Sequence, residues 1–128
     1  MKHTFLLLLF ATSLFSCHCA AGAPGAVDQF IPAFKNGDAQ KIGGSFDATV
    51  EISIKGKVGS YNASQATSIL TDFFNANTPS NFTIEHNGSA AGSEFAIGNL
   101  TTRSGNFKVS IFVKNNGSSV VIKELRIE

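Results

Sequence analysis

A chain of 128 residues, 43% of them hydrophobic, supports one globular core rather than two. Twelve Phe stand against one Tyr and no Trp, so that core is expected to consist of Phe packed with Ile, Val and Leu. The formal charge is only +1 and the bases, among them Lys35, Lys41, Lys55, Lys57, Lys108 and Lys114, are scattered, which argues against a nucleic-acid partner.

Lys2 and His3 precede the apolar run 5–11, which gives way to small residues around Ser16 to Ala21. That is the order of a signal peptide, and the run is too short for the roughly 20 apolar residues of a spanning helix. Residues 1–21 are therefore expected to be a cleaved leader and 22–128 a single exported domain, periplasmic or extracellular. Type-I cleavage competes with lipoprotein processing: Leu14-Phe15-Ser16-Cys17 resembles a bacterial lipobox, with Phe15 departing from the small or branched residue expected there, and acylation of Cys17 would tether the domain to a membrane. Cys17 and Cys19 are the only cysteines, and His3 and His18 also fall in the leader. The domain then keeps no disulfide, no thiol nucleophile and one histidine, His86, an inventory that argues against a metal site; no cofactor is expected. Without Lys2, nine bases face nine acids.

From Val27 the spacing of Val27, Phe30, Ile31 and Phe34 predicts a short helix, which Pro32 delays or kinks and Asn36-Gly37 ends. Asp38 can cap a second helix over Ala39 to Ile42, closed by Gly43-Gly44. Phe46 to Ile54 alternates as a half-buried strand, with Phe46, Ala48, Val50, Ile52 and Ile54 on one side. A turn at Lys55-Gly56-Lys57 leads to a brief strand ending at Tyr61. Asn62 or Ser64 then caps a helix over Gln65 to Asn75 with the stripe Ala66, Ile69, Leu70, Phe73, Phe74. Four strands follow, 81–86, 94–102, 106–114 and 119–127, with hairpin signals at Asn87-Gly88, Ser104-Gly105 and Asn116-Gly117. The expected architecture is α+β: one curved, mainly antiparallel sheet with the helices on a single face.

Phe34-Lys35-Asn36-Gly37-Asp38-Ala39, Gln65 to Phe74, Phe95-Ala96-Ile97-Gly98 and the closing Val121 to Glu128 resemble the nuclear transport factor 2-like (cystatin-like) superfamily over about 27–128. Within it the chain looks most similar to the secreted bacterial domain of unknown function 4783. The resemblance implies a cone-shaped α+β fold, a bacterial source and a habit of dimerising through the sheet. Because this fold hosts isomerases, dehydratases and plain binding modules, it does not choose a function.

The superfamily's enzymes work with an Asp, His or Tyr inside the cone. His86 follows Phe82 and Ile84 at strand parity, which would aim it inward as a general base; the plainer reading is a partly solvated residue before a turn. Arg126, between Leu125 and Ile127, and Tyr61, the only tyrosine, are the other candidate ligand-binding residues, each with a surface or packing role as its default. No phosphate loop, nucleophile elbow or metal-binding motif is present. Two functions remain. One is a non-catalytic envelope module that holds a small apolar molecule in the cone or pairs with a second copy, a homodimer through the sheet; the other is a small lyase or isomerase using His86 with Tyr61 or Arg126.

Overall fold

The computed structural model describes residues 25–117 and 119–128. The expected leader, its cleavage positions and Cys17 lie outside them. The first helix divides into a 3-10 turn, Ala26–Phe30, and α1, Ile31–Asn36. Pro32 falls in the first turn of α1, where a missing N–H leaves no helical acceptor unpaired. Gly37 adopts φ 68° and ends α1, and the Asp38 N–H reaches back to the Ala33 carbonyl at 2.8 Å, the closing bond of a Schellman turn. The Asp38 carboxylate then accepts from the Lys41 N–H at 3.1 Å and starts α2, Ala39–Gly43.

Six strands form one sheet: β1 Phe46–Ile54, β2 Lys57–Asn62, β3 Pro79–Ala90, β4 Ser93–Thr102, β5 Gly105–Asn115 and β6 Val120–Ile127. Their order is β2-β1-β6-β5-β4-β3. All neighbours are antiparallel except β1 and β6, which run parallel. The β1–β2 hairpin closes at Lys55 and Gly56, with φ of 51° and 84°, the left-handed pair that matches strand twist. Between β2 and β3 runs α3, Ala63–Ala76. Its start is a capping box in which Asn62 Oδ1 accepts from Gln65 N–H at 2.8 Å and Gln65 Oε1 accepts from Asn62 N–H at 3.4 Å.

Three local expectations are corrected. The β3–β4 hairpin turns at Ala91-Gly92, with φ of 47° and 80°, and Asn87-Gly88 stays within β3, Gly88 opposite Phe95. Ala48 is exposed, because the β1–β6 register shifts between Phe46 and Glu51 and takes it out of the alternation. A second shift, between Ile84 and His86, inserts Glu85 as the extra residue of β3 and reverses parity beyond it.

The helices cover one face of the sheet. Val50, Ile52, Leu100, Val109, Ile111, Leu125 and Ile127 are buried there against Phe34, Ile42, Leu70, Phe73 and Phe74 from the helices. Phe34 joins three elements, with ring centroids 4.9 Å from Phe82 and 6.2 Å, edge on, from Phe74. The opposite face is solvated and carries Glu51, Phe95, Phe112, Glu124 and Arg126.

Candidate binding cleft

Helix α3 and the β1–β2 hairpin do not close on each other. Between them lies a cleft of about 470 Å³, with Ile52, Ile54, Ile69 and Phe73 as its apolar walls. Tyr61, Lys55, Lys57 and Asp72 supply polar groups, and so does Asn77, whose amide donates to the Phe73 carbonyl at 3.0 Å. The helical wall follows from spacing: Ile69, Asp72, Phe73 and Ala76 stand at i, i+3, i+4 and i+7, one face of α3. The strand wall follows from register. Val50, Ile52 and Ile54 oppose Tyr61, Gly59 and Lys57, so these three residues of β2 share the inner face.

Gly59 sets the position of Tyr61. A Cβ there would stand 2.6 Å from the Tyr61 hydroxyl and 2.7 Å from Cζ, so the phenol lies flat along β2 across the glycine, towards Lys57. On the far side the Lys55 ammonium stands 5.3 Å from the Phe107 ring centroid, and Phe107 meets Phe73 edge on at 5.2 Å. An apolar floor thus carries two ammonium groups, one phenol and one carboxylate at its rim. None of the ion pairs among the described residues involves Lys55, Lys57 or Asp72.

The three residues singled out from sequence are not brought together. Tyr61 lines the cleft. His86 is exposed, and the bulge places it opposite Ile97 on the outer face, so the parity that aimed it into the cone does not hold. Arg126 is also on the outer face, opposite Ser110 and Ser53. Its Nε donates to Glu124, with Glu51 3.8 Å from its Nη2, and the Glu124 hydrogen bond and charge hold the guanidinium more firmly protonated than usual. Sequence reasoning passed over Lys57, Ile69 and Asp72 as site residues. The signals were present: an inward lysine two residues before Gly59, and a carboxylate set within the apolar stripe of α3.

The comparisons agree with this architecture. The family model for domain of unknown function 4783 matches residues 27–128. A member of that family from Bacteroides ovatus is 32% identical, with a TM-score of 0.74 over 82% of this chain and 93% of that one. Another, from Bacteroides fragilis, is 31% identical, with a TM-score of 0.73 over 83% and 97%. At 14% identity, an NTF-2 like protein of unknown function from Silicibacter pomeroyi shares the fold, with a TM-score of 0.60 over 80% of this chain and 88% of that one. No curated protein matches. Among the described residues no helix is long and apolar enough to cross a membrane. The chain has the nuclear transport factor 2-like fold and belongs to the domain of unknown function 4783 family.

Proposed function

We propose that this is an exported, non-catalytic binding module of the bacterial cell envelope whose cleft between α3 and the β1–β2 hairpin holds a small apolar molecule. The observation that carries the reading is the cleft itself. Its volume of about 470 Å³ lies within the roughly 300–1,000 Å³ of small-molecule sites, and its walls are Ile52, Ile54, Ile69 and Phe73. The lyase or isomerase alternative needs a positioned base beside its substrate, and the exposed, outward His86 lends it no support. Binding of the neutral fluorophore N-phenylnaphthylamine tests the module. The wild-type protein is expected to enhance its emission, and Ile69→Trp, which puts an indole into the cleft, is expected to abolish the enhancement while leaving the circular dichroism spectrum unchanged. Equal enhancement by the variant would place the probe elsewhere and sink the reading.

A second reading, association of two copies through the sheet, has its own observation. Phe95 and Phe112 face each other across β4 and β5 on the outer face, 44% and 42% exposed, and Ile97 stands beside them. A self-complementary patch of this kind suits a two-fold homodimer. Sedimentation should give a dimer for the wild type and a monomer for Phe112→Asp. A wild type that stays monomeric at high concentration removes this reading without touching the cleft.

A further inference from the structure

The charges at the cleft narrow the class of ligand. Lys57 faces inward from an edge strand, in register with Ile54, and the Tyr61 phenol runs towards it over Gly59. Across the cleft Lys55 is held by the hairpin, its backbone N–H donating to the Ile127 carbonyl at 2.8 Å and its ammonium over Phe107. Asp72 is the one carboxylate in the lining. Two ammonium groups and one carboxylate give a net single positive charge at the rim of an apolar cleft, and neither lysine is engaged by an acid among the described residues. Lys123, by contrast, is paired with Asp47.

We propose that the ligand is a single-chain amphiphile with a carboxylate head, the fatty-acid class. Its chain lies along Ile52, Ile54, Ile69 and Phe73, and its head is held by Lys55 and Lys57 with the Tyr61 hydroxyl as a further donor. This rests on the reading of the cleft as an apolar binding site and adds the identity of the head. A monoanion matches the rim's net charge, whereas a dianionic phosphate would bring more charge up to Asp72. The competing role for a lysine on an edge strand is to discourage pairing with another chain, which requires no ligand.

The test is displacement of N-phenylnaphthylamine by dodecanoate, dodecanol, dodecylamine and dodecyl phosphate, each below its micellar concentration or, for dodecanol, its solubility limit. Dodecanoate is expected to displace the probe at a concentration about tenfold or more below dodecanol, the scale of a charge-assisted hydrogen bond in a partly shielded site. Dodecylamine is expected to do no better than dodecanol. In the double variant Lys55→Ala, Lys57→Ala the advantage of dodecanoate over dodecanol should fall to within about twofold, the ratio within one variant setting aside any change that the truncations make to the cleft as a whole; both lysines are exposed and the fold does not depend on them. Equal displacement by dodecanoate and dodecanol in the wild type overturns the carboxylate head and leaves the apolar cleft standing. Stronger displacement by dodecyl phosphate overturns the carboxylate in favour of a phosphate. No probe binding at all overturns both readings.

Discussion

The layer between helices and sheet has two halves built on different terms. Over β3 and β4, α1 sets Phe34 on Phe82, Phe74 of α3 meets Phe34 edge on, and Phe34, Leu70 and Leu100 have no measurable exposure. Over β1 and β2 only α3 is available. There Ile54, Tyr61 and Ile69 stay half-buried, and the space between them is open. The same kinds of apolar residue line both halves, so hydrophobicity alone does not decide which becomes core and which becomes site. What decides is the number of layers that reach the sheet: where two helices converge, side chains interdigitate to the density of an interior, and where one helix spans a two-stranded hairpin a cleft remains.

The sharpest way to break this contrast is to truncate one residue in each half. Phe34→Ala removes a ring packed on all sides and should lower the free energy of unfolding by about 3–5 kcal/mol, since the cavity it leaves is lined by rings that cannot collapse into it. Ile69→Ala removes methylenes already in contact with solvent and should cost about 1 kcal/mol or less. Urea denaturation of both variants gives the comparison directly. If Ile69→Ala cost as much as Phe34→Ala, the cleft would be part of the core and the division into two halves would fail.

Much of this was legible in the sequence, because most of it is written in local periodicity. Alternation gave five of the strands to within a few residues, the Asn36-Gly37-Asp38 break separated α1 from α2, and the stripe from Ala66 to Phe74 placed α3 against the sheet. The misses share a cause. β3 runs through Asn87-Gly88 because Phe95 on β4 lies over Gly88, and the turn falls instead on Ala91, a residue with an ordinary preference for negative φ. The parallel pairing of β1 with β6 joins residues more than 70 positions apart, for which local pattern holds no sign. Bulges did the most damage to the reading of function. A single extra residue at Glu85 carried His86 from the inner face to the outer one, and no rule of alternation announces where such a residue will stand. The cleft was half legible. Tyr61 was singled out for its hydroxyl, but its neighbours Lys57, Ile69 and Asp72 come from two elements that meet only once the fold is known.

Charge divides along β1 in the same sense as packing. At the end of β1 beside the cleft, Lys55 and Lys57 are in no ion pair among the described residues, whereas at its start Asp47 accepts from the Lys123 ammonium and from the Ala48 N–H at 2.9 Å. Lys123 can reach because it is the extra residue of β6, left over where the β5 register steps from Phe112 opposite Glu124 to Val113 opposite Ile122. The Lys123 hydrogen bond first, and the Ala48 N–H second, hold the Asp47 carboxyl below its ordinary value of 3.8. A carboxyl depressed in the folded state binds its proton more readily when unfolded. Its contribution to stability is therefore complete above the unfolded value and disappears as pH falls through that value towards the folded one. Both side chains are partly solvated, at 30% and 41% exposure, so the effect is the smallest of those considered. Asp47→Asn keeps an oxygen for the Ala48 N–H and removes only the charge. The stability difference between wild type and Asp47→Asn is expected to be constant from neutral pH down to about pH 5, then to shrink below about pH 4. A difference that persists undiminished at about pH 2 would mean that the amide, not the lost charge, sets it, and the paired start of β1 would then owe nothing to electrostatics.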